Sequence, residues 1–193
     1  LLDYYDRSGS GVGSLFAGLN PNLIHDVTPT DLLAVSRYCG PLSPLLIRRN
    51  LGPSPQRSAL LRALRELPDD DLAAAGANRL LVMENLHLAA RDCFRSSPET
   101  QRMWEPASVL CARKRGDLFP NPSDPVLSAF GINPGPLTHR QTWLVYRSLL
   151  RNDDVRRQLF AISESLDHAS DQSVVPDHGV LSILDATLHT FVN

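Results

Sequence analysis

The chain has 193 residues, 42% hydrophobic and 21% charged, which excludes a disordered, collagenous or fibrous protein and suits one globular domain with a real core. Nineteen basic residues against 21 acidic leave a formal charge of −2, so the molecule as a whole has no field to attract nucleic acid or a membrane. Any such partner needs a local patch. Eighteen of the 19 basic residues are arginine, and the one lysine, Lys114, stands between Arg113 and Arg115.

Three widely spaced cysteines, Cys39, Cys93 and Cys111, form no C-x-x-C pair and read as reduced core residues. No apolar run is long enough to cross a membrane, and the first six residues, Leu1 to Asp6, lack the basic start and apolar run of a signal peptide. The expectation is a cytoplasmic protein with no membrane partner. The sequence begins without methionine, so it can be a piece of a longer chain.

Taken in order, residues 1–27 form a partly irregular segment around the glycine-rich stretch Ser8 to Ser14. That stretch has neither the Gly-Lys-Ser/Thr ending of a phosphate loop nor the context of a dinucleotide fingerprint, and it reads as a surface loop. Thr28-Pro29-Thr30-Asp31 supplies a cap, a first-turn proline and an acid for a helix that stops at Gly40-Pro41. A short helix is predicted through Leu45 to Arg49, then one opened by Pro55 with Leu60, Leu61, Leu64 and Leu67 on one face, ended by Pro68. Asp69-Asp70-Asp71 is read as the acidic start of a long central helix running to Phe94.

Pro98-Glu99 and Pro106 each open a further helical stretch, the second ending in Arg113-Lys114-Arg115 before Gly116. The segment from Leu118 to Pro125, with three prolines, is a stiff crossing that suppresses helix. Asp124 then caps a helix of Val126, Leu127 and Phe130; Thr138 caps one through Leu150; Asn152-Asp153-Asp154 caps one through Leu166; Pro176-Asp177-His178 opens a closing helix through Phe191. No long period-two alternation and no internal repeat occurs. The predicted fold is all-α, a single compact domain over 1–193 with about eight to ten helices.

Histidines at 25, 87, 139, 168, 178 and 189 show no metal-binding spacing, and no metal or cofactor is expected. Asp185 and His189 lie four apart on the closing helix and read as a local salt bridge or solvated face, with a metal as the sharper alternative. No G-x-S-x-G elbow occurs. The segment from Trp104 to Leu127 carries the most chemistry. Three cations at a helix end can neutralise phosphates or complement the helix dipole, and a carboxylate on a rigid link can do acid, base or electrostatic work or cap a helix.

This segment, Pro106-Ala107-Ser108-Val109-Leu110-Cys111-Ala112-Arg113-Lys114-Arg115 through Leu118-Phe119-Pro120 to Asp124, resembles a bacterial family known only as a domain of unknown function, whose members carry an "ASKLLARKRP-LIPVYD" signature. Leu1 to Tyr5, Thr30 to Ser36, the Trp143 helix and Leu181 to Asp185 also resemble it. The resemblance implies an all-helical protein and brings no activity. The signature is in turn distantly similar to helix-hairpin-helix base-excision DNA glycosylases. That similarity implies Asp124 as catalytic carboxylate and Arg113, Lys114 and Arg115 as nucleic-acid-binding residues beside a DNA strand, with a flipped base meeting Asp124. The glycosylases' L-P-G-x-G hairpin is missing, since Met103 to Ala107 has no glycine. The alternative is a non-catalytic interaction or regulatory module whose partner is another protein.

Overall fold

A computed structural model of the protein describes residues 19–95, 104–133, 135, 138–169 and 179–192. Among these all regular structure is helical, as the hydrophobic spacing predicts. The glycine-rich stretch Ser8 to Ser14, the helix start at Pro98-Glu99 and the cap at Pro176 to His178 lie outside the described residues.

Local chemistry sets the first helices. In α1 (Pro29–Cys39) the backbone N–H and the hydroxyl of Thr28 both donate to Asp31 Oδ2, at 2.7 and 2.9 Å, which ties the start of the helix to its own third residue. Gly40 follows at φ +84°, a left-handed turn that a side chain resists. Helices α2 (Pro44–Leu51) and α3 (Pro55–Glu66) begin alike, with Ser43 accepting from the Leu46 N–H and Ser54 from the Arg57 N–H, each with proline in the first turn.

The long helix, α4 (Ala77–Phe94), starts later than the Asp69 to Asp71 triplet predicts. Asp71 Oδ1 accepts the Ala74 N–H at 2.7 Å and so closes a separate turn, while Leu72, fully buried, donates its N–H to the Asp117 carbonyl. The triplet therefore caps a turn, and the helix restarts after Gly76. One buried stripe of α4, Leu80, Met83, Leu86, His87, Ala90, Cys93 and Phe94, packs on α3 and on α5 (Trp104–Lys114).

In α5, Pro106 sits in the first turn, where a missing N–H is harmless, so Trp104 and Cys111 share one helix. Small residues Ala107, Cys111 and Ala112 are buried and let α1 and α4 approach it from both sides. Beyond the proline-rich link come α6 (Asp124–Ala129), α7 (Thr138–Leu150), α8 (Asp153–Ala169) and α9 (Val180–Val192). Ser123, not Asp124, occupies the cap position of α6. Helix α9 packs on α6 and α8, and α8 also on α7. Tyr146, Phe94, Phe119 and Leu110 lie in one continuous core with Trp143. Burial holds the Cys39 and Cys93 thiols protonated, their pKa pushed up to about 12, so they behave as small apolar groups.

The basic turn faces inward. Arg113, Lys114 and Arg115 are 4%, 2% and 6% exposed, and Asp31 is 0%. Asp31 binds Arg113 Nε at 2.7 Å and Lys114 Nζ at 2.6 Å. Lys114 Nζ also donates to Asn22 Oδ1 at 3.0 Å and to the Leu23 carbonyl at 3.1 Å, and Arg113 donates to the Leu19 carbonyl. Arg115 donates to the carbonyls of Ile24 and Leu64, both at 3.0 Å, which supplies partners at the open end of α3. The cluster is thus a staple joining segment 19–25, α1, α3 and α5.

Removing one partner of a buried ion pair strands the other, at about 3–5 kcal/mol. Asp31→Ala leaves two buried cations without their carboxylate, so urea unfolding of that variant is expected to show a loss of at least about 3 kcal/mol. Lys114→Met removes one partner of Asp31 but leaves it Arg113 and the two Thr28 donors, so its loss is expected to be smaller. Equal losses would remove Asp31 from its central position.

Candidate functional site

A cavity of about 330 Å³ opens between α1, the first turns of α5, the proline-rich link and the facing sides of α7 and α9. Its size falls at the lower end of ligand pockets, roughly 300–1,000 Å³. Among the described residues its walls carry the carboxylates of Glu105, Asp124 and Asp185, the rings of Tyr38, Trp104 and Trp143, and His139 and His189, with no lysine or arginine. Both tryptophans of the chain are there.

Asp185 is the most constrained of these groups. Tyr146 donates its phenol O–H to Oδ1 and Asn121 its backbone N–H to Oδ2, both at 2.6 Å. Burial nevertheless outweighs these two donors and pushes its pKa up from 3.8 to about 6. The residue as a whole is only partly buried and lines the cavity. A carboxyl that titrates near neutrality in a concave site suits proton transfer.

Behind one wall, the His87 ring stacks on His139 with centroids 4.1 Å apart, and both meet the edge of Trp143. His87 Nε2 lies 3.0 Å from Ser108 Oγ, which lines the cavity. Burial first, then repulsion from His139 and Arg91, lowers the His87 pKa to about 3, so this imidazole is neutral at physiological pH. On the opposite side His189 Nδ1 approaches Ser123 Oγ at 3.4 Å.

The residues predicted from sequence are divided by this geometry. Asp124 is exposed and lines the cavity. Arg113, Lys114 and Arg115 are not among the described lining residues, and their charged heads are engaged inside the protein. Their burial weighs against a place beside a DNA strand, because phosphates bind cations they can reach. Asp185 and His189 do share a face, but that face lines the cavity and each side chain has a partner from elsewhere in the fold. Among the described residues no three His, Cys, Asp or Glu side chains converge as a metal site, and no helix is long and apolar enough to cross a membrane. Tyr146, Asn121, His139 and Glu105 were not legible as site residues. The one available signal was Asp185 itself, a carboxylate amid Leu181, Ile183, Leu184 and Ala186.

Residues 1–187 match a family of unknown function, DUF6308. The chain belongs to this family. Neither the curated proteins nor the solved structures include a match to it. Membership extends over the whole staple and the described cavity walls up to Asp185, but not to His189.

The raised Asp185 pKa has a consequence for stability. The folded state holds an extra proton between the ordinary value of 3.8 and about 6, so this group's contribution declines as pH rises through that window. His87, lowered from 6.5 to about 3, acts in the opposite sense, adding stability as pH rises. The difference between wild type and Asp185→Asn isolates the carboxyl. The variant is expected to gain on wild type by up to ~3 kcal/mol between about pH 4 and pH 7.5, measured by urea unfolding. A difference that stays flat with pH would show that Asp185 titrates normally.

Proposed function

We propose that the protein binds a small ring-bearing ligand in this cavity, with Asp185 as its acid–base group and Asp124 as a charge at its mouth. The observation that carries the reading is Asp185, gripped by Tyr146 and Asn121 at 2.6 Å and facing a cavity of about 330 Å³. Aromatic faces supply contact area for a ring, and a few fixed polar groups orient it. The interaction-module alternative expects no concave acidic site, and three carboxylates on one cavity weigh against it.

A second reading keeps nucleic acid as the partner, with a base turned out of a strand into the same cavity and Asp124 stabilising a developing cationic sugar. Its support is the position of Asp124 on the cavity wall. The inward basic turn weighs against it, since the strand then needs other cations.

Because Trp104 and Trp143 both line the cavity, tryptophan fluorescence reports occupancy directly. Titration with free nucleobases and other small nitrogen heterocycles is expected to change the emission, and filling the cavity with Thr142→Trp or Ser108→Phe to abolish binding of the same compounds by calorimetry. A single-stranded oligonucleotide that binds with a steep salt dependence, while free rings do not bind, would select the strand instead.

A further inference from the structure

We infer that the ligand of this cavity is a compact organic cation, an amidinium or ammonium group carried on a small ring. The inference rests on the small-ligand reading above and adds the chemical class. Three features of the walls agree on it.

The first is charge. Glu105, Asp124 and Asp185 face the cavity from α5, α6 and α9, and no lysine or arginine does so among the described residues. The cations of the basic turn, Arg113 to Arg115, are engaged elsewhere, by Asp31, Asn22 and backbone carbonyls. Among the described residues the charged groups on the lining are carboxylates, which favour a cation over an anion in a partly desolvated space.

The second is the π surface. Tyr38, Trp104 and Trp143 line the same volume, and indole and phenol faces attract cations. The third is the supply of hydrogen-bond acceptors. Each Asp185 oxygen accepts one bond from the protein, Oδ1 from Tyr146 and Oδ2 from Asn121, and a carboxylate oxygen accepts two. Two lone-pair sites on one carboxylate match the paired N–H groups of an amidinium. Ser108 Oγ adds an oxygen to the wall.

Cation binding then displaces the proton that Asp185 holds at low pH. The other titratable groups facing this space are His139 of α7, His189 of α9, Asp124, Glu105 and Tyr38, with Tyr146 on Asp185 itself and His87 behind Ser108. Protonation of either histidine opposes a cation, so these groups and Asp185 all shift affinity in the same direction, upward with pH.

Benzamidine, benzamide and benzoate have nearly one shape and carry positive, zero and negative charge, so titration of the full chain with each isolates the charge preference. At about pH 7.5 benzamidine is expected to bind at least ~10-fold more tightly than benzamide, to weaken ~10-fold at about pH 5, and to lose ~10-fold in Asp185→Asn. Asp124→Asn, at an exposed site with no described structural bond, is expected to cost about threefold by weaker screened attraction. It serves as the folded control if Asp185→Asn is unstable. Benzamide or benzoate binding as tightly as benzamidine overturns the cation and leaves the small-ligand reading standing. Binding of none of the three, together with no response to the heterocycles, overturns both.

Discussion

The fold depends on one buried carboxylate. Asp31 caps its own helix through Thr28 and at the same time neutralises Arg113 and Lys114 at the far end of α5. Two cations against one anion leave an excess positive charge in the interior, which only further acceptors make tolerable. Segment 19–25 provides them, through Leu19, Asn22 and Leu23, and Ile24 accepts from Arg115 beside them. The single lysine fits this geometry. Its three N–H bonds radiate from one nitrogen to Asp31, Asn22 and Leu23 at 2.6, 3.0 and 3.1 Å, an arrangement that a planar guanidinium does not reproduce. Burial lowers the Lys114 pKa and the Asp31 carboxylate opposes this, so the charge and its counter-ion sustain each other.

This staple also orients the cavity wall. The Arg115 carbonyl accepts the N–H groups of both Leu118 and Phe119, at 3.0 Å each, and Asp117 accepts from Leu72. The chain therefore leaves α5 in a fixed direction, buries Leu118 and Phe119 in the core, and enters the proline-stiffened link. That link presents the Asn121 N–H to Asp185 and brings Ser123 and Asp124 to the cavity. The buried cations thus support from within a cavity whose described walls carry three carboxylates.

Much of the helical layout was legible because it is local. Ser-Pro and Thr-Pro starts, the Gly40 stop and apolar spacing on α3, α7 and α9 need only neighbouring residues. The start of α4 was misread because Ala73 to Ala75 carries no pattern, and the turn that interrupts it depends on Asp71 and on the distant Asp117. The inward direction of the basic turn was not legible for a stronger reason. Its direction is decided by Asp31, 82 residues away from Arg113, and nothing near residue 114 encodes that contact. Asp185 shows the same limit, since Asn121 and Tyr146 reach it from 64 and 39 residues away. Spacing alone identified its pairing with His189 on one face but not what the face encloses.

Polarity in this protein is thus sorted by depth. In the basic turn the buried head groups of Arg113, Lys114 and Arg115 each donate to acceptors inside the protein. At the cavity the compensation of Asp185 is incomplete: it has two donors, yet its pKa still lies near 6. A structural carboxylate with enough partners would remain ionised well below that value, as hydrogen bonds to the charged form dictate. The remaining deficit is what a cationic partner with N–H groups can relieve. In this chain the cations of the basic turn meet Asp31, Asn22 and backbone carbonyls, whereas the described walls of the cavity carry carboxylates and no lysine or arginine.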